Sequence, residues 1–200
     1  MKRIPFEYAV LAISVGVTVA VATPALAQTS AAADSKSIET SADKLARGQY
    51  LVTVAGCNDC HTPWVMGPKG PEPDMTRMLS GHPESDKLPP APAAQGPWIV
   101  AAAATNTAWS GPWGVSYTAN LTPDAETGLG KWTQRNFTET IRTGRHMGRG
   151  RQILPPMPIP MYKNFTDADL EAIFSYLQTI PAVKNRVPEP LPSLQPVAAK

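Results

Sequence analysis

Cys57-Asn-Asp-Cys60-His61 places two thiols three residues apart and an imidazole directly behind the second. On one helical turn, residues i and i+3 share a face. Both thiols can therefore reach the two vinyl groups of a single haem, and the histidine can turn toward its iron. C-x-x-C-H is the haem-attachment spacing, and a chance match in a chain of this length is on the order of one in a thousand at average residue usage. Three other chemistries compete for these residues. A Cys57–Cys60 disulfide would close only a tiny loop and constrain little. A thioredoxin-like pair needs a strand–helix setting, whereas this motif follows a helical stretch. A zinc site needs a fourth ligand and usually a second cysteine pair, and Cys57 and Cys60 are the only cysteines.

A haem iron held by His61 has a second axial position to fill. The chain offers seven methionines and two further histidines, His82 and His146. Met157 lies in Pro155-Pro156-Met157-Pro158, where fixed proline φ angles stiffen the loop and lower the entropic cost of pressing a thioether onto a metal. Met161 lies four residues further on in the same loop. His146, His82 or an open site complete the alternatives.

The elements that must position these groups are unevenly readable. A helix is expected over residues 42–55 with Ser41 as N-cap, carrying Gly48 in its interior and ending at Gly56. Thr133 can cap a second helix that holds Phe137 and Ile141 and ends at Gly144. The clearest helix follows Thr166-Asp-Ala-Asp169, a capping box with Asp in the usual Glu place. Leu170, Ile173, Phe174 and Leu177 then recur at helical spacing up to Pro181. Leu154-Pro-Pro-Met-Pro-Ile-Pro160 reads as neither helix nor central strand. Between residues 64 and 113 proline is so frequent that only a short helix near 99–104 is readable, and no strand pairing is apparent. With no periodic apolar face, this stretch cannot build a core of its own and is expected to cover part of the haem.

Bulk properties bound the function. Lys2 and Arg3 precede an apolar run over residues 9–22 and a small-x-small site at Ala25-Leu-Ala27, so residues 1–27 read as a secretory signal peptide. The protein is then expected in the periplasm, with no membrane-spanning segment after cleavage. Residues 28–40 read as a disordered tail, 41–181 as one domain, and 182–200 as an extended, proline-rich tail. A net formal charge of +2 argues against a nucleic-acid partner. Positive charge is nevertheless concentrated at Arg142, Arg145, Arg149 and Arg151, a candidate docking patch for an acidic redox partner. Proline makes up 22 of 200 residues against about one in twenty on average. An apolar macrocycle at the centre would supply the core that such a chain lacks.

Helix, C-x-x-C-H, long loop, helix, Met-Pro loop and terminal helix is an order that resembles the class I cytochrome c family across residues 42–180. Ser116-Tyr-Thr-Ala-Asn120 and Gly128-Leu-Gly-Lys-Trp132 look like the segment that holds the haem propionates in mitochondrial-type cytochrome c. Asn120-Leu-Thr-Pro-Asp124, Arg142-Thr-Gly144 and Met157-Pro-Ile-Pro160 resemble bacterial monohaem cytochromes and the cytochrome subunits of periplasmic dehydrogenases. The resemblance implies an all-α fold around one covalent haem c, with a proline-rich insertion at about 64–113 that has no counterpart in small cytochromes. It implies Tyr117 and Trp132 as propionate donors with Asn120 nearby, and a crossing of Gly48 and Tyr50 against Tyr176 and Leu177. The function it implies is single-electron transfer by His61/Met157-ligated iron, not catalysis. Donor and acceptor would be redox proteins, such as a periplasmic dehydrogenase or a terminal oxidase. A subunit that works only inside a dehydrogenase or oxidase complex, and an open-iron haem enzyme or sensor, are the alternatives.

Overall fold

The structure, a computed structural model, describes residues 40–92 and 97–193. The expected signal peptide and nearly all of the expected disordered tail lie outside the described residues. Five helices are present among them: α1 (Ser41–Val54), α2 (Cys57–His61), α3 (Gln134–Thr143), α4 (Ile159–Tyr162) and α5 (Asp167–Leu177). Thr40, one residue earlier than expected, caps α1 through a full capping box with Asp43. Thr133 and Asn136 make the same reciprocal pair at α3, as do Thr166 and Asp169 at α5. Each box satisfies amide donors that a helix start leaves unpaired. Gly144 ends α3 in the left-handed region, at φ 66°.

α1 crosses α5 at Gly48. A Cβ there would lie 2.1 Å from the Ala172 carbonyl oxygen and 2.7 Å from Tyr176 Cβ, so the mid-helix glycine is the price of close backbone contact. The ion pairs Lys44–Glu171 and Arg47–Asp169 flank the crossing. Leu51 and Val52 meet Leu170, Ile173, Phe174 and Leu177 in the core, which Phe137 and Ile141 of α3 extend.

The expected all-α class is overturned: two antiparallel sheets make the fold mixed α/β. β1 (Trp64–Gly67) pairs with β2 (Gly70–Pro73), and β3 (Ala101–Ala102), β4 (Ala108–Gly111) and β5 (Gly114–Tyr117) form the second sheet in that order. No helix forms near 99–104, where β3 runs instead. Both hairpins turn on the same signal, Gly67-Pro-Lys-Gly70 and Gly111-Pro-Trp-Gly114, with proline at i+1 and glycine at i+3. Proline does not spoil β2 because ladder bonds alternate. Gly67 pairs with Gly70 beside the turn, so Pro71 and Pro73 fall opposite Met66 and Trp64, at positions whose amides would face away from the partner. The Met157 loop also differs in part: Ile159 and Pro160 begin α4, whose first turn accepts a proline without losing a hydrogen bond.

Asp169 couples this scaffold to pH. Burial alone would raise its carboxyl pKa, but hydrogen bonds from Thr166 and Arg47 outweigh that and hold it below its ordinary value. A depressed folded-state pKa contributes stability that is present above the unfolded value, near 4, and lost as pH falls through the folded one. Denaturant midpoints of wild type and Asp169→Asn should therefore differ at pH 7, by about 1–3 kcal/mol for a charge-assisted hydrogen bond, and converge toward pH 2.

Candidate functional site

α1 stops at Ala55, and Gly56, in the left-handed region at φ 67°, redirects the chain into the single turn of α2. That turn presents Cys57, Cys60 and His61 to one cavity of about 750 Å³. This size lies within the roughly 300–1,000 Å³ of small-molecule and cofactor sites. The two cysteines are free thiols, and the motif follows a helix instead of a strand, unlike a thioredoxin-type pair. Burial pushes the Cys57 thiol up to about 11 and raises Cys60 as well.

His61 is 8% exposed, and its Nδ1 lies 2.8 Å from the Ala119 carbonyl oxygen. A carbonyl only accepts, so Nδ1 carries the proton and Nε2 keeps its lone pair. Burial lowers the pKa of the ring, with partial compensation from the Ala119 bond, which favours the neutral form that can bind a metal. The insertion braces this turn from behind. The Gly81 amide donates to the His61 carbonyl at 2.8 Å, and the Leu79 amide donates to Thr62 Oγ1 at 2.9 Å. Leu79, fully buried, packs into the core at this point.

Met157 lines the same cavity. Its loop is pinned by Ser116 Oγ, which donates to the Pro155 carbonyl at 2.6 Å, and by the Ile159 amide, which donates to the Met157 carbonyl at 2.8 Å. Met161 is 62% exposed and does not line the cavity. Neither does His82, whose fully buried ring lies 4.8 Å from that of Tyr117 and bonds Thr107 Oγ1 at 2.9 Å. His146 does reach the cavity, edge-on to Trp132 at 5.1 Å between ring centroids. Leu129, Phe137, Ile141, Ile173 and Leu177 supply apolar lining.

Tyr117, Asn120 and Trp132 all line the cavity. Among the described residues, no group hydrogen-bonds the Tyr117 hydroxyl or the Trp132 indole N–H. Asn120 is engaged within the protein: its amide nitrogen donates to the Val183 carbonyl at 2.8 Å and its oxygen accepts from Thr122 Oγ1 at 2.7 Å. A haem fits this arrangement. It would meet two thiols, a histidine nitrogen with its lone pair free, a thioether, an apolar lining, and two donors without protein partners.

Three features differ from sequence expectation or have no counterpart in it. Of the described residues between 64 and 113, Glu84 and Lys87 line the cavity, and the insertion also braces α2 through Gly81 and Leu79. The proline-rich tail lies against the cavity with Arg186, Val187, Pro188, Glu189 and Pro190, and no sequence signal marks its buried Asn185. Of the four arginines, Arg142 bonds the Lys163 carbonyl and Asp167, Arg145 donates to the Gly150 carbonyl at 3.1 Å, and Arg151 faces Glu189 at 3.5 Å, while Arg145, Arg149 and Arg151 are all exposed.

No family model matches the chain. It is 28% identical over 152 residues, 73% of its length, to the fructose dehydrogenase cytochrome subunit of Gluconobacter japonicus, of which it covers 24%. It is 25% identical over 146 residues, 72% of its length, to the cytochrome c subunit of the quinone alcohol dehydrogenase of Gluconobacter oxydans, of which it covers 23%. It is 27% identical over 130 residues, 65% of its length, to the gluconate 2-dehydrogenase cytochrome c subunit of Pantoea cypripedii, of which it covers 22%. The chain thus spans about a quarter or less of the length of the curated relatives it matches. The C-x-x-C-H turn opening onto an apolar cavity and the likeness to cytochrome c subunits over most of the chain's length point the same way, and together they support a member of the cytochrome c family.

Proposed function

We propose that the protein is a periplasmic single-electron carrier for one covalent haem c, which Cys57 and Cys60 would attach through thioethers and whose iron His61 and Met157 would hold. The observation that carries this reading is the convergence of both thiols, His61 and Met157 on one largely apolar cavity. When bound, the haem supplies the Fe(III)/Fe(II) couple. The protein's own work is to hold that couple in place. The Ala119 carbonyl fixes the His61 tautomer and ring orientation. The pinned loop around Pro155 keeps the Met157 thioether at the cavity, and a methionine opposite histidine raises the reduction potential. The apolar lining excludes water, and Tyr117 and Trp132 offer donors to the propionates. Both ligand positions are then filled by the chain itself, leaving none for a substrate.

The relatives, cytochrome subunits of dehydrogenases, support a partner of that kind, with this chain receiving electrons from a dehydrogenase and passing them to a further redox protein. Among the described residues no helix is long and apolar enough to cross a membrane. The test is direct. Protein purified from a host that matures c-type cytochromes should show, after denaturation, a band that stains for haem-linked peroxidase activity. A pyridine haemochrome assay should give one haem per chain. An unstained band, or a stoichiometry of two, refutes the reading.

A further inference from the structure

Residues 183–191 have no regular secondary structure, yet they are fastened at several points. Asn185, 3% exposed, donates from its amide nitrogen to the carbonyls of Ser80 at 2.7 Å and His82 at 2.9 Å, and its oxygen accepts from the Glu84 amide at 2.8 Å. Its own amide donates to Thr127 Oγ1 at 3.0 Å. Further along, Leu191 and Val115 exchange two backbone hydrogen bonds of 2.9 Å. Between these anchors the segment lies along the charged side of the large cavity.

The charges there are unevenly satisfied. Glu126 pairs with Lys184 at 2.8 Å, Arg151 faces Glu189 at 3.5 Å, and Lys87 donates to the Glu84 carbonyl at 2.9 Å. The Arg186 guanidinium forms no ion pair or hydrogen bond among the described residues, although its backbone amide is held by Glu84 at 3.1 Å. Arg186 also lines a second, shallower recess of about 460 Å³ together with Trp132, whose indole N–H is equally unengaged. A guanidinium with no direct ion pair and a neutral donor therefore share one rim of an apolar cavity, the neighbouring carboxylates of Glu126 and Glu84 being engaged by Lys184 and by the Arg186 backbone amide. A carboxylate that ends at such a rim needs a charge partner, and a planar guanidinium matches its two oxygens.

We propose that residues 183–191 form a strap over the cavity rim, in which Arg186 ion-pairs a haem propionate and Asn185 is the positioning residue that sets its place. The proposal rests on the haem reading above. Removing a positive charge close to the haem favours its oxidised form. In redox titrations of the full haem-loaded chain at low salt, Arg186→Gln should thus lower the Fe(II)/Fe(III) ratio at fixed ambient potential roughly three- to tenfold, at most about 59 mV for one electron. Arg186→Lys should recover most of the loss. Lys184→Gln removes the same charge two residues away, from a side chain paired with Glu126 and not with the haem, and should lower the ratio by much less. Asn185→Ala should lower the ratio as Arg186→Gln does, and the double variant should fall no further than Arg186→Gln alone. Trypsin should cut after Arg186 slowly in wild type and quickly in Asn185→Ala. Equal shifts in Arg186→Gln and Lys184→Gln, or no shift in either, overturn the strap proposal while the wild-type band stains for haem. An unstained wild-type band overturns the haem reading itself.

Discussion

Met157→Ala should abolish the weak sulfur-to-iron absorption band of the oxidised protein, lower the reduction potential, and open the iron to added imidazole. Met161→Ala should leave all three unchanged. The two methionines lie four residues apart in one proline-rich stretch, but the fold separates them: Met157 faces the cavity, and Met161 is 62% exposed on α4. In the proposed reading the haem would be attached through Cys57 and Cys60 independently of Met157, so Met157→Ala should still stain for haem and remain assayable. Losing the half-buried thioether, together with its bond, should cost about 2–4 kcal/mol of stability. Survival of the band in Met157→Ala and its disappearance in Met161→Ala would reverse the assignment. Survival in both, with loss in His146→Ala, would give the position to the histidine that also lines the cavity.

Much of what depends on short-range rules is legible in the sequence alone, although the cap of α1 lies at Thr40 and not at Ser41. The thiol pair and histidine are a five-residue spacing. The caps at Thr133 and Thr166 and the stop at Gly144 are local exchanges of hydrogen bonds, and each lies where the sequence puts it. Gly48 is anomalous as an isolated mid-helix glycine and becomes intelligible once the family resemblance supplies a crossing helix.

The strands escape a sequence reading because the abundance of proline argues against a sheet, whereas only its register decides. Two Gly-Pro-x-Gly turns stand in the sequence, each followed by a short extended run. The prolines of β2 occupy the ladder positions that need no donor, which only a paired register reveals. The order of the tail is hidden for another reason. It depends on one side chain, Asn185, whose partners lie about 100 residues away at Ser80, His82 and Glu84. No periodicity encodes a long-range polar anchor of that kind. The insertion, likewise, points to the cofactor in sequence because it lacks a core of its own. Its buried Leu79 instead joins the core cluster close behind α2, and the Leu79 amide ties the insertion to Thr62.

Gly48→Ala should destabilise the haem-loaded protein severely, although it adds a single methyl group. Alanine improves the intrinsic helix propensity of α1 by about 1 kcal/mol, so in an open site the change would stabilise. Here the new Cβ would sit 2.1 Å from the Ala172 carbonyl oxygen and 2.7 Å from Tyr176 Cβ. Neither atom can swing aside by a rotamer change, because both are fixed to the backbone of α5. The helices must separate, which loosens Leu51 and Val52 against Leu170 and Ile173 and strains the Arg47–Asp169 pair. Overpacking of this kind costs typically 1–3 kcal/mol and more when backbone must move. A net loss of about 2–3 kcal/mol is expected, or roughly 5–10 °C in Tm for a chain of this size. Gly67→Ala is the matching control. Its Cβ would also approach to 2.1 Å, but the neighbour is Glu72 Oε1, the far end of a flexible side chain that can rotate into solvent. That variant should melt within a degree or two of wild type. Because α5 also supplies Leu170, Ile173 and Leu177 to the cavity, Gly48→Ala should in addition bind imidazole faster, with haem staining intact. If Gly48→Ala melts with Gly67→Ala, the helix crossing is softer than its geometry indicates, and the close contact is not what keeps the cavity wall in place.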